Sequence, residues 1–146
     1  MSIDTVAVLG AGTMGHGIAQ VCAAAGCDVR LFDINDEAVD RGMERIRGNL
    51  EKGNARGKVT EEERDGVLGR LTTTTAIADA VTGADLVIEA APESMELKES
   101  IFREVDAAAP DHAILASNTS SLSIDQIASV VGAPSRFVGM HFFNPV

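Results

Sequence analysis

Short apolar runs alternate with longer amphipathic ones along the whole chain. Thr5–Leu9 (TVAVL) is continuously apolar after its first residue and stops at Gly10, the pattern of a strand covered on both faces. Met14–Ala25 is Ala-rich and helical, and Gly26 ends it. Asp28–Phe32 repeats the strand pattern and ends at Asp33. Asp36–Lys52 predicts a long charged helix, with Asn35 or Asp36 as its cap. Gly53–Lys58 predicts a turn, and Thr60 and Glu63 have the spacing of a capping box that opens a short helix to about Gly69. Leu71–Thr75 predicts a short strand, and Ile77–Val81 at most one helical turn. A strand over Asp85–Ala90 and a helix over Glu96–Ala109, closed by Pro110, follow. Next come a strand over Ala113–Ser117 and a helix over Ile124–Val131 capped by Ser123. The last strand is expected over Phe137–Phe142.

This alternation predicts βαβ units and an α/β fold: a doubly wound parallel sheet with helices on both faces. The excursion between the second and third strands holds two helices where one is usual, and is expected to project from the body. In such a sheet, ligands sit outside the carboxyl ends of the strands.

Gly10-Ala11-Gly12-Thr13-Met14-Gly15 matches G-x-G-x-x-G in its full context. It follows a strand, opens a helix, and Asp33 ends the second strand eighteen residues later (33 − 15). Gly10 permits a tight turn, Gly12 a close approach of backbone to a pyrophosphate, and Gly15 close helix–strand packing. The helix N-terminus offers free N–H groups and partial positive charge to phosphates. Thr13 and Met14 lie within the loop and count among its contacts. Asp33 is placed to bond both hydroxyls of an adenosine ribose, and Ile34-Asn35 supplies no Arg for a 2′-phosphate, so NAD is favoured over NADP.

Three more strand ends carry polar residues: Ala91–Ser94, Asn118–Ser121 and His141–Asn144. The same rule sorts the histidines. His112 precedes a strand and belongs to the opposite edge. His16, in the first helical turn, either touches the cofactor or faces solvent. His141 lies on the ligand side, where its position alone leaves open a structural role or that of a base taking a proton from a hydroxyl. Cys22 and Cys27 read as packing residues.

Composition narrows the choice. With 22 acids against 12 bases the net charge is −10, which argues against nucleic-acid and anionic-membrane partners. The 146 residues make one domain, and the 45% apolar share supports a core. That core is aliphatic, because the only aromatics are five Phe. No run reaches the ~18 apolar residues of a membrane span. The N-terminus lacks a basic segment and a long apolar stretch, so a cytoplasmic setting is expected. Two cysteines make neither a disulfide framework nor a zinc site, and no metal is expected.

Four blocks carry a resemblance: VAVLGAGTMGHGIAQ (6–20), DLVIEAAPE (85–93), ILASNTSSLSI (114–124) and RFVGMHFFNPV (136–146). Together they resemble the L-3-hydroxyacyl-CoA dehydrogenase family, closest to its bacterial 3-hydroxybutyryl-CoA dehydrogenase members. The resemblance implies a Rossmann domain that passes hydride between C3 of an L-3-hydroxyacyl-CoA and NAD. His141 would be the general base, and Ser120 would bond the 3-oxygen of the substrate. Asn144 would hold the nicotinamide end, Glu93 and Lys98 would line the cofactor with Asn118 beside them, and Asp33 would take the ribose. Asn49, Lys52 and Arg56 would be contacts for CoA. The family pairs its histidine with a downstream glutamate that would fall past Val146, and adds a helical C-terminal domain that makes the dimer. The chain is therefore expected to be the N-terminal, NAD-binding domain of a homo-oligomeric enzyme, poorly active alone. Two other readings remain: a non-catalytic NAD-binding or structural module, and one domain of a multifunctional fatty-acid-oxidation protein.

Overall fold

Six strands run parallel in one sheet: β1 (Thr5–Leu9), β2 (Asp28–Phe32), β3 (Leu71–Thr74), β4 (Leu86–Glu89), β5 (Ile114–Ser117) and β6 (Phe137–Gly139). The computed structural model describes residues 1–146 and orders these strands β3-β2-β1-β4-β5-β6. This is the doubly wound Rossmann order, and it reverses direction between β1 and β4. The helices are α1 (Thr13–Ala24), α2 (Asp36–Ala55), α3 (Glu61–Gly69), α4 (Ile77–Val81), α5 (Met95–Ala108) and α6 (Ile124–Ala128).

Alternation along β1 shows why the strands read as unbroken apolar runs. Val6 and Val8 enter one core with Ile18, Ile46 and Leu50 of α1 and α2. Ala7 and Leu9 enter the other, with Phe102 and Val105 of α5. Both faces are dry, so neither parity of position can be polar.

One placement and three boundaries differ from expectation by more than a single residue. The helical excursion does not project. Met43, Ile46 and Leu50 recur at helical spacing along α2 and, with Val67 of α3, join the core that contains Val6, so α2 and α3 lie against the body. α2 also runs past Lys52 to Ala55, and the turn falls later: the N–H groups of Lys58 and Val59 return to the Gly53 carbonyl at 2.9 and 3.2 Å. α6 stops at Ala128 rather than Val131, because Val130 and Val131 bond three residues back and Ser129 Oγ donates to the Gln126 carbonyl at 2.6 Å. β6 ends at Gly139 rather than Phe142, because its neighbour β5 ends at Ser117 and Met140 N–H takes the last ladder bond, to the Ser117 carbonyl at 2.9 Å.

The amino edge of the sheet, away from the glycine turn, is tied by Asp85. One oxygen meets His112 Nε2 at 2.8 Å, and the other accepts from Asp4 and Thr5 N–H at 2.9 and 3.0 Å. The His112 hydrogen bond, then those of Thr5 and Asp4, hold its carboxyl at about 2. The native pKa is depressed, so the stabilisation is complete above the ordinary value near 4 and lost as pH falls through about 2. Denaturant titrations in that window should show a loss of stability that Asp85→Asn reduces. Parallel curves for the two proteins would remove Asp85 from the acid response.

Candidate active site

β1 delivers the chain into Gly10, whose φ of +111° is left-handed and whose N–H donates to the Phe32 carbonyl at 2.8 Å. The first turn of α1 rests directly on this residue. A Cβ on Gly15 would stand 1.7 Å from the Gly10 carbonyl oxygen. Asp33 holds the turn from the side: Oδ2 accepts from Ala11 N–H at 2.9 Å and Oδ1 from Ile34 N–H at 2.7 Å. Four helices carry a side-chain cap, from Asn35, Thr60, Ser94 and Ser123, but α1 has none and no acid in its first turn. The N–H groups of Thr13, Met14 and Gly15 find no acceptor in the chain. The space above Gly12 is open, since a Cβ there would meet nothing within 4 Å. These are the donors and the room that a pyrophosphate needs.

Two clefts flank the turn and share Met14, Ala90, Ala91 and Pro92 as a common wall. The larger, about 620 Å³, is mostly apolar and has Phe32, Asp33 and Ile34 at its β2 end. The smaller, about 270 Å³, is the more polar of the two and brings together Glu93, Asn118, Ser120 and His141. Ala91 and His141, fifty residues apart (141 − 91), thus face one groove over the carboxyl ends of the central strands. An apolar cleft beside an acid, an uncapped helix end and a polar cleft, in that order, suit a dinucleotide laid across the turn.

His141 lies two residues beyond β6 and is exposed. Asn118 places it: Asn118 Oδ1 accepts the Phe142 N–H at 2.7 Å, tying the segment to the β5 loop. Phe143 packs edge-on against the imidazole at a centroid distance of 5.2 Å. No side chain or backbone group of this chain hydrogen-bonds the ring.

Behind the polar cleft lies a buried network centred on Glu89, a residue absent from the sequence-based site. Glu89 is wholly buried at the end of β4. It accepts from Ser117 Oγ at 2.5 Å, from Ala91 N–H at 2.7 Å and from Lys98 Nζ. Lys98, 1% exposed, also reaches the Ala91 carbonyl at 3.0 Å and Glu93 at 3.1 Å. Three acceptors match the three donors of its ammonium, so Lys98 lines the cleft, as expected, with no donor left over for a ligand. Glu93 accepts from Thr119 Oγ1 at 2.6 Å and Ser121 Oγ at 2.9 Å. Burial opposes its ionisation, but these hydroxyls and Lys98 outweigh it and hold its carboxyl below the ordinary range. Glu89 did leave a signal: a carboxylate inside a strand covered on both faces must have a cation, and Lys98 sits on the apolar face of α5 with Ile101, Phe102 and Val105.

The remaining expected residues lie apart from this cleft. Asn144 lines a separate cleft of about 300 Å³ with His16, Gln20 and Asn49, and does not share the cavity of His141. Asn49 donates to Gln20 at 3.1 Å and lies 3.4 Å from His16 Nε2, and His16 Nδ1 turns to the Gly12 carbonyl at 2.7 Å. Lys52 and Arg56 are exposed on the last turn and C-cap of α2. His112 lies at the opposite edge, as expected. Arg41 and Arg45 of α2, which no local reading of Ile34-Asn35 reveals, line a cavity with Asp33.

The chain matches the model of the 3-hydroxyacyl-CoA dehydrogenase NAD-binding domain over residues 5–146. It belongs to that family. NAD is the family's cofactor. The chain is 46% identical over 146 residues to a probable 3-hydroxybutyryl-CoA dehydrogenase of Bacillus subtilis, covering 100% of this chain and 50% of that protein. It is 45% identical to the 3-hydroxyadipyl-CoA dehydrogenase of Escherichia coli, covering 99% of this chain and 30% of that protein. The crystal structure of (S)-3-hydroxybutyryl-CoA dehydrogenase from Ralstonia eutropha superposes with a TM-score of 0.95 at 44% identity, covering 99% of this chain and 51% of that one. The chain therefore spans between about a third and a half of the length of these relatives. No helix is long and apolar enough to cross a membrane.

Proposed function

We propose that this domain serves an NAD-dependent L-3-hydroxyacyl-CoA dehydrogenase, with 3-hydroxybutyryl-CoA as the first substrate to test. The observation that carries the proposal is the shared polar cleft, in which His141 and Ser120 stand beside Met14 of the glycine turn. When bound, NAD supplies the hydride acceptor. His141 takes the proton from the 3-hydroxyl as hydride leaves the same carbon, and the carbon–oxygen bond becomes a carbonyl. Ser120 donates a hydrogen bond to that oxygen, Glu93 and Asn118 frame the nicotinamide end, and Asp33 takes the ribose. Asn144 comes to that end from its neighbouring cleft. Asn49, Lys52 and Arg56 are the CoA contacts on α2. Dimerisation and the second wall of the acyl pocket belong to a helical domain beyond this chain, in a cytoplasmic homo-oligomer. The unpartnered imidazole and one-sided cleft make this domain alone a slow catalyst.

Calorimetric titration with NADH should show one site per chain. Asp33→Arg should weaken it about tenfold or more, the size of one charged hydrogen bond. Unchanged affinity removes Asp33 from the ribose, and absent binding in the parent chain removes the whole reading. With acetoacetyl-CoA, NADH oxidation by this chain should be slow. A rate equal to that of a two-domain relative overturns the need for the second domain.

A further inference from the structure

We infer that Arg41 and Arg45 form a phosphate subsite beside the nucleoside cleft, fitted to the 2′-phosphate of NADP, and that Asp33 opposes its occupation without closing it. The inference rests on the reading of Asp33 as the ribose carboxylate.

Three observations carry it. First, Arg41 and Arg45 line one cavity of about 220 Å³ with Gly12, Thr13 and Asp33, between α2 and the phosphate turn. Asp33 is the only acid on its wall, so the cavity holds two positive side chains and one negative in a chain of net charge −10. Second, neither guanidinium is in an ion pair. Glu37 lies one helical turn before Arg41, the orientation that favours pairing, yet Arg41 lines the cavity instead. Like charges four residues apart on a helix repel, and on the cavity wall only Asp33 offsets them. Third, the fold holds the pair close to the turn: a Cβ on Gly42, between them, would stand 2.8 Å from both Cβ and the carbonyl oxygen of Ala11.

The chemistry follows from charge and shape. A phosphomonoester presents three oxygens, and planar guanidinium groups bind such an anion bidentately. With Asp33 ionised, the dianion meets one opposing carboxylate and two guanidinium groups. Without it, only the guanidinium groups and free N–H donors remain. A 2′-phosphate and free inorganic phosphate share this chemistry, and the position beside Asp33 selects the former.

The test compares NADH, NADPH and inorganic phosphate by calorimetry on the 146-residue chain. With Asp33 intact, Arg41→Ala/Arg45→Ala should weaken NADPH about tenfold or more and leave NADH within about twofold. Asp33→Ser should raise NADPH affinity about tenfold or more, and adding the two alanines should cancel that gain. Overturning results are equal NADPH affinity with and without the arginines, a gain that survives their removal, or phosphate bound at the pair with no effect on NADPH. The first comparison leaves Asp33 and its bond to Ala11 untouched, so it decides even if Asp33→Ser disturbs the turn. Failure of NADH to bind the parent chain sinks the ribose reading. NADH binding with arginines silent toward NADPH sinks only the subsite.

Discussion

Lys98→Met should lower the unfolding free energy by about 3–5 kcal/mol, because it leaves the Glu89 carboxylate buried without its cation. For a domain of this size that is a fall of roughly 10 °C or more in melting temperature, readable by circular dichroism. Glu89 is 0% exposed and Lys98 1%, so water cannot take the place of either partner. The charge is the decisive element, since methionine keeps most of the volume. Lys98→Met/Glu89→Gln should therefore recover part of the loss: glutamine retains an acceptor for Ala91 N–H or Ser117 and carries no charge. A single variant that costs no more than an exposed substitution, or a double variant worse than the sum of its parts, contradicts the account. Within the site, the same change frees Glu93, whose oxygen lies 3.1 Å from Nζ, and with it the loop that Thr119 and Ser121 hold.

Gly15→Ala should destabilise the chain by about 1–3 kcal/mol and abolish measurable NADH binding. The new methyl would stand 1.7 Å from the Gly10 carbonyl oxygen and 2.6 Å from its carbon. Both atoms are backbone and cannot rotate away. Gly10 cannot retreat either, for its own Cβ position lies 2.6 Å from the Ala90 carbonyl oxygen. Relief must come from moving α1 off the turn, which displaces the unpartnered N–H groups of Thr13 and Met14. Calorimetry with NADH and a thermal melt separate the two effects. Gly48→Ala is the control: it lies in α2 with open space at its Cβ position and should be neutral or mildly stabilising. Retained NADH affinity in Gly15→Ala would show that the turn tolerates a wider helix–strand spacing.

Local patterns carried much of this protein. Strand identities, the cap at Asn35, the capping box of Thr60 and Glu63, the glycine turn and the acid closing β2 all depend on residues near one another in the chain. Such signals survive without a tertiary context, because propensity, capping and turn geometry act over a few residues. Boundaries failed where a distant partner set them: β6 stops because β5 does, and α2 and α3 settle on the body because their apolar faces meet the β1–β2 core. The strand-end rule brought His141, Ser120 and Glu93 to one cleft, since a parallel sheet sends every carboxyl end to one rim. It could not supply side-chain partners across that rim. Long-range packing alone placed Lys98 behind Glu93 on Glu89, sent Asn144 to the cleft of His16, and set Arg41 and Arg45 beside Asp33. Which charges meet depends on how helices seat against the sheet, and that seating is decided by the summed burial of two cores rather than by any one segment.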